Sequence, residues 1–548
     1  MKLSILQQLL PLLLWLPLTA LQAQTADPVD QIFAEWQESA DAPGGVFGII
    51  EKGQVVMTRA YGKASLEYDI PNTRETAMNI ASVSKQFTAY AMVLLEQQGK
   101  LSIDDEVRKY LPELPDFGTP ITIRHLLTHT SGLRNFQNLL ALAGWRDGDY
   151  MTNDDLVRYM SMQRELNFPV GSEYLYCNSG FNLCTEIVKR VTGQSFEDWT
   201  REHIFQPLGM NRSEFRSDMQ EVVKQTATSY DKHPDGSFTQ PLKYWTYTGN
   251  GNIYTTVDDL ARWIRNFDEG TLGGKAALER LSERGILTNG DTLTYALGII
   301  NTTYRGLRLL QHGGSVGGYR AQLLYFPDQQ TGIVVLSNYS AGNPGPKAYA
   351  LADLQLASQF TQPKAAPVNR ATPTPPTPEG SYGLLSGDQV ATAYLRSENG
   401  TLLLETELLP RQTLALQPGT NNRYRNEAQD VTLSPQGSAF SLQIQQKRYQ
   451  ARPLQASMLQ AAELEKWTGE YYSPELDTRY HIRHQDGQLQ VSHNRHGSFR
   501  IVPLSPESAV AAPGFFRDIS IERFASGEIK GIRVSNGRVR NLWLGKME

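Results

Sequence analysis

Two cysteines in 548 residues are too few to staple a fold. Cys177 and Cys184 stand seven positions apart, and on one helix that spacing sets their Cα atoms roughly 10 Å apart, beyond disulfide reach. The pair offers neither a zinc cluster nor a thiol nucleophile and reads as two free, buried thiols. An excess of charge is also missing: 52 Lys and Arg face 57 Asp and Glu, a net charge of −5. That balance excludes a basic surface built for nucleic acid or for an anionic membrane. Long apolar runs are absent except at the start, where Lys2 is followed by "LLPLLLWLPLTAL". This run is about 13 residues long and contains prolines, short of the ~20 that span a bilayer. It reads as a signal peptide, residues 1–23, cleaved near the small residue Ala23. No cysteine follows to carry a lipid, so the expectation is a periplasmic or secreted protein with no membrane anchor after cleavage.

The chain is too long for one core. From residue 28 to 361, strand-like and helical segments alternate. "GVFGIIEKGQVVMTRAYG" reads as a hairpin turning at Lys52-Gly53. A helix follows from about Gln86 to Gln98, with Phe87, Tyr90, Val93 and Leu94 on its buried side and Gly99 as its stop. "LRLLQHGGSVGGYRAQLLYFP" and "TGIVVLSN" read as consecutive antiparallel strands. The fold class is therefore α/β (α+β), with the first and last strands in one central antiparallel sheet. Residues 362–379, rich in Pro, Ala and Thr, form a polyproline-type linker. Beyond it the helix signal fades. "YLRSENGTLLLE" and "YHIRHQDGQLQV" are alternating strands around Asn-Gly and Asp-Gly turns, each preceded by a Gly-x-Tyr at Gly380-Tyr382 and Gly469-Tyr471. The two copies are offset by roughly 87 residues, which gives two related β-barrel-like domains, 380–455 and 462–548.

The chemistry concentrates in "NIASVSKQFTAY". Ser82 and Lys85 stand three apart at the mouth of the expected helix, so both side chains can enter one cleft. A serine hydroxyl needs a base, and a lysine serves when burial lowers its pKa. The helix N-terminus adds a positive potential suited to a developing oxyanion. Ser-x-x-Lys alone arises by chance on the order of once in a chain this long. Two further stretches add weight: Tyr176-Cys177-Asn178 ahead of a helix, and His312-Gly313-Gly314 on a strand.

In that order, and joined by "GKLSIDDEVRKYLPELP", "ITIRHLLTHTSGL" and "GNGNIYTTVDDLARW", these motifs resemble the serine β-lactamase and penicillin-binding-protein superfamily in its class C-like branch. The resemblance covers about 60% of the chain and implies a role for each residue. Ser82 is acylated, and Lys85 and Tyr176 shuttle its proton. Asn178 bonds the substrate amide or the Lys85 ammonium. His312 stands where penicillin-binding proteins carry the lysine of Lys-Thr-Gly, with Gly313, Gly314 and Ser315 lining the substrate strand. The backbone N–H groups of Ser82 and Ser315 form an oxyanion hole, each donor supplying about 3–4 kcal/mol to the transition state. A catalytic domain followed by two barrels, lipocalin-like in type, is similar to D-stereospecific aminopeptidases, in which a loop of the last barrel enters the active-site mouth. Residues 504–518 are the expected counterpart.

Departures narrow the expectation. His312-Gly313 replaces Lys-Thr, so the cation and hydroxyl that grip a penicillin carboxylate are missing. Short peptides or amides, including D-amino-acid peptides, fit better, in an aminopeptidase- or carboxypeptidase-like reaction needing no metal or cofactor. Two alternatives stand beside this reading. One is a short-chain carboxylesterase of the same family; the other is a non-catalytic cell-wall or ligand-binding protein. Assembly through the C-terminal barrels is a further expectation. His125 and His129, four apart, have metal-like spacing but no third ligand and read as structural. Glu173 reads as a loop carboxylate, and Asp258-Asp259 as charge at a helix N-terminus. His481, His484, His493 and His496 read as a solvated strand face.

Overall fold

The computed structural model describes residues 27–548 apart from positions 40, 234, 365–378, 387–388, 399–400, 407, 410–412, 419–422, 427–430, 437–438, 445–446, 455–460 and 512. The expected signal peptide, most of the linker and the Asn399-Gly400 turn lie outside the described residues.

The catalytic region is built on a six-stranded sheet, antiparallel throughout. Its strands are β1 (Gly45–Glu51), β2 (Gln54–Tyr61), β3 (Ile300–Tyr304), β4 (Leu307–Val316), β5 (Tyr319–Phe326) and β6 (Thr331–Ser337), in the order β3-β4-β5-β6-β1-β2. The first and last strands pair directly, from Gly45 opposite Ser337 to Glu51 opposite Thr331. Lys52 and Gly53 both take positive φ, 48° and 70°, the twist that lets a two-residue turn join right-twisted strands. One face of the sheet buries Phe47, Ile333 and Val335 against Phe33 and Trp36 and against Leu351 of the helix Pro344–Gln355. The other face carries Val46, Leu323 and Val334 into a large helical layer.

That layer surrounds α1 (Lys85–Gln97), which starts and ends one residue earlier than the pattern predicts. Its burial differs more. Every residue from Lys85 to Leu95 is buried, Gln86 and Thr88 included, so the helix is a central post with no solvated side. Two of its polar side chains find partners inside: Gln86 Oε1 accepts from Trp263 Nε1, and Thr88 Oγ1 donates to the Gly249 carbonyl.

Two closed eight-stranded barrels follow, one from Gly380–Ser386 to Lys447–Pro453 and one from Gly469–Ser473 to Leu542–Lys546. The Gly-x-Tyr repeat opens both, and Tyr382 and Tyr471 are buried at matching places in the two walls. The first barrel has a core of its own and meets the second through Leu385, Val502 and Val510. The second is fused to the catalytic region, whose hydrophobic core runs on into it. Of the tail histidines, His493 and His496 depart from the expected solvated face, whereas His481 keeps it with its side chain 45% exposed. His493 is buried against Gly144, and the His496 ring nitrogen Nε2 bonds the Ala141 carbonyl. A strand face that is polar in sequence is covered because another domain docks on it.

Candidate active site

The candidate nucleophile, Ser82, follows a strained turn. Ala81 holds left-handed backbone at φ 47°, a conformation that costs an alanine roughly 1–2 kcal/mol, and its N–H donates to Asn79 Oδ1. A 3₁₀ turn, Ala81–Ser84, then leads into α1. The expected first helical turn is thus tighter than an α-helix. With three residues per turn, Ser82 and Lys85 eclipse one another. Lys85 Nζ lies 3.1 Å from Ser82 Oγ and donates to the Asn250 carbonyl at 2.6 Å. The lysine is fully buried beneath the rings of Tyr176 and Phe181. Desolvation, helped by the nearby Arg538 charge, holds its pKa well below the ordinary lysine value. Among the described residues no carboxylate pairs with it. A buried amine with a lowered pKa, 3.1 Å from a serine hydroxyl, has the geometry of a general base.

Tyr176 closes the other side. Its buried phenol makes no hydrogen bond of ordinary geometry, and burial pushes its pKa up, with the neighbouring Ser82 hydroxyl pulling partly the other way. The ring is held by His129, 4.1 Å away between centroids, whose Nδ1 accepts the Cys177 N–H at 3.1 Å. His129 is therefore a positioning residue in the site floor. Its metal-like partner His125 lies outside the site and caps the helix Ile123–Leu127 through Thr122. Among the described residues no three of His, Cys, Asp and Glu are grouped to hold a metal ion. Cys177 and Cys184 are both buried and free.

His312 is buried on β4. Its Nδ1 bonds the Gly313 carbonyl at 2.6 Å, so its Nε2 accepts from the Tyr295 hydroxyl at 3.0 Å. Desolvation and the neighbouring lysine hold its pKa down at about 3, which keeps the ring neutral. It reaches the Tyr176 ring only at 6.3 Å, with Tyr295 packed edge-on beside both rings. The residue that replaces a fixed cation is thus a neutral, relayed partner. Asn178 begins the helix Asn178–Thr192. It donates from Nδ2 to Gln137 and not to Lys85, and its buried Oδ1 is left as an unpaired acceptor. Gly313, Gly314 and Ser315 form the edge of β4 beside the nucleophile turn.

Gly314 is where the fit is tightest. A Cβ there would stand 2.1 Å from the Ile80 carbonyl oxygen, on the turn that carries Ser82. Only glycine lets β4 approach closely enough for the Ser82 and Ser315 amides to share a cleft of about 80 Å³, lined also by Asn178, Trp245 and Tyr247. Gly314→Ala is expected to push the strand off the turn and lower kcat about 100-fold, the size of a lost oxyanion donor. Steady-state kinetics together with a melting curve check this, and unchanged kcat would remove the strand-spacing argument.

The second barrel reaches the active-site region beside Tyr176, but not through the expected segment. Within 504–518, Phe516 is buried and Phe515 packs on His496 of the same barrel. The segment that reaches the site is 536–541, "NGRVRN". Asn135 N and Asn167 Nδ2 bond the Arg538 carbonyl, and the Arg540 amide donates to Asn167 Oδ1. Arg538 places its guanidinium 5.0 Å from the Tyr176 ring centroid. Glu173 is engaged by Arg540 at 2.9 Å, which leaves it a structural carboxylate. In sequence this loop carries no more than two arginines near the end of a barrel, and the length and apolar character of 504–518 drew attention away from it.

With this geometry in place, comparison with known proteins is informative. The beta-lactamase family model matches residues 29–358, three fifths of the chain. A D-aminopeptidase of Cereibacter sphaeroides is 27% identical over 452 residues, covering 81% of this chain and 82% of its own. An octameric penicillin-binding protein homologue from Pyrococcus abyssi superposes with a TM-score of 0.55 at 26% identity, over 77% of this chain and 99% of its own. A D-stereospecific amidohydrolase from Streptomyces shares the fold of the catalytic part, with a TM-score of 0.51 at 21% identity over 60% of this chain and 97% of its own. The family match spans the nucleophile turn, its buried lysine and the sheet edge beside them, and the chain belongs to the beta-lactamase family of serine hydrolases.

Proposed function

We propose that this protein is an exported hydrolase that cleaves amide bonds in short peptides through an acyl-enzyme on Ser82. The observation that carries the reading is the fully buried Lys85 at 3.1 Å from the serine oxygen, its pKa held well below the ordinary lysine value by desolvation. Lys85 takes the Ser82 proton as the oxygen attacks the carbonyl. The Ser82 and Ser315 amides receive the oxyanion, and the proton returns to the leaving nitrogen through Tyr176. Water then attacks the ester by the reverse route. Relatives named D-aminopeptidase support a D-residue on the acyl side. The neutral His312-Gly313 offers a penicillin carboxylate no charge, which argues against efficient β-lactam turnover.

The test is Ser82 labelling by a fluorophosphonate, with rates on D-Ala and L-Ala p-nitroanilides in free-amine and N-acetyl forms, a p-nitrophenyl ester and a chromogenic cephalosporin, and Ser82→Ala as control. Amide turnover is expected to vanish in Ser82→Ala and to exceed cephalosporin turnover at least 100-fold. Ester turnover alone would make the protein an esterase, and an unlabelled serine in folded protein would make it a binding protein. Export rests on the N-terminal run, and N-terminal sequencing of the mature protein is expected to begin near Gln24. The octameric structural neighbour supports self-assembly, which light scattering checks.

A further inference from the structure

We infer that Arg538 binds the α-carboxylate of the leaving group, so that the enzyme removes single C-terminal residues from short peptides. The inference rests on the proposed acyl-enzyme chemistry. Because Tyr176 returns the proton to the leaving nitrogen, the leaving group lies on the Tyr176 side of Ser82 and the acyl part runs the other way, past Asn178 and Val316.

The two sides differ in charge. A second cavity of about 330 Å³ shares Val316 with the acyl-side cleft, and no Asp or Glu lines either one. Its two cations are engaged, Arg216 by the Asp218, Met219 and Glu221 carbonyls and Lys243 by Asp147. An N-terminal ammonium finds no counter-charge there. The unpaired Oδ1 of Asn178 suits instead the N–H of an acylated residue.

The leaving-group side carries a cation. The barrel sends three arginines toward the cleft region, and two of them are spent on the catalytic region, Arg533 on Glu165 and Arg540 on Glu173. Arg538, exposed beside the Tyr176 ring, forms no ion pair among the described residues. Its backbone is pinned from Asn135 and Asn167, so its guanidinium is presented by a fixed loop. Nitrogen and carboxyl carbon of one residue are separated only by Cα, roughly 2.5 Å. A nitrogen in hydrogen-bond range of the Tyr176 hydroxyl therefore sets its own carboxylate toward a guanidinium lying 5.0 Å from that ring. The planar fork matches a carboxylate bidentately. It thus supplies, from the appended barrel, the charge that His312 does not.

The experiment compares kcat/KM for N-acetyl-Ala-Ala and its C-terminal amide, each in both chiralities, using the full-length mature protein. The free acid is expected to be preferred at least tenfold, and Arg538→Gln to bring the acid-to-amide ratio near one, chiefly by raising KM for the acid. Arg538→Lys is expected to retain part of the preference. On unmodified protein, free alanine should inhibit competitively where alaninamide does not. Equal rates on acid and amide overturn the inference. So does an Arg538→Gln variant that slows both equally while its acid limb moves, since Arg538 would then act on Lys85 or Tyr176. Failure of Ser82 to acylate at all removes the proposed function, and this inference with it; that result is read independently from the fluorophosphonate label.

Discussion

Lys85→Met is expected to lose about a thousandfold in turnover and at the same time to melt at a higher temperature than the wild type at neutral pH. The loss follows from removing the amine in contact with Ser82, a general-base contribution of about 10²–10⁴. The gain follows from linkage. Lys85 is fully buried with a pKa well below the ordinary value, whereas in the unfolded chain it titrates normally. Between those two pKa values the unfolded state binds the extra proton, so the wild type gains stability as pH rises through that window. Methionine fills similar space and carries no such penalty. The difference in melting temperature between variant and wild type should therefore shrink as pH approaches the normal lysine value. The wild-type rate should show an acid limb, where Lys85 protonates. Burial raises the Tyr176 and Tyr295 phenols, so neither brings a matching loss near neutrality. Calorimetry across pH and single-turnover acylation read both effects. A variant that is less stable at pH 7, or that acylates within tenfold of wild type, would show that Lys85 is held as a structural cation.

What could be read from the chain beforehand was whatever local pattern dictates. Ser82, Lys85, Tyr176 and His312 announce themselves by residue type and order, and the Lys52-Gly53 turn and the Gly-x-Tyr openings by backbone chemistry. What escaped was set by tertiary partners. α1 reads as one-sided because apolar spacing alone cannot show that Gln86 and Thr88 find buried partners on distant segments, Trp263 and Gly249. His129 reads as a structural partner of His125, but the helix ends at Leu127 and His129's own left-handed backbone, φ 61°, turns it under Tyr176. Asn250 enters the site through its carbonyl, which no side-chain motif encodes. The solvated histidine face and the 504–518 loop failed for one reason, that barrel docking is invisible to a repeat found in isolation.

That docking yields the second large effect: Glu475→Ala is expected to destabilise the union of barrel and catalytic region by about 3–5 kcal/mol. Arg134 and Glu475, 2.5 Å apart, are both almost fully buried, and the carboxylate also accepts the Arg164 amide. Arg134 further donates to Gln163 and to the Arg540 and Asn541 carbonyls. Removing Glu475 strands a buried guanidinium with only neutral acceptors and Glu165 at 3.6 Å. Because the same arginine holds the carbonyls of the 536–541 loop, the acid-over-amide preference should fall in Glu475→Ala although Arg538 is intact. A paired apolar replacement, Arg134→Met with Glu475→Leu, should recover most of the stability, since a buried ion pair and a packed apolar pair are often close in energy. It should not recover the preference, because the loop carbonyls stay unheld. Three domains do not melt as one unit, so the readouts are a new low-temperature transition and faster proteolysis between barrel and catalytic region. If Glu475→Ala melts and discriminates as the wild type does, the buried pair neither holds the barrel nor sets the loop, and the apolar core shared by the two domains does that alone.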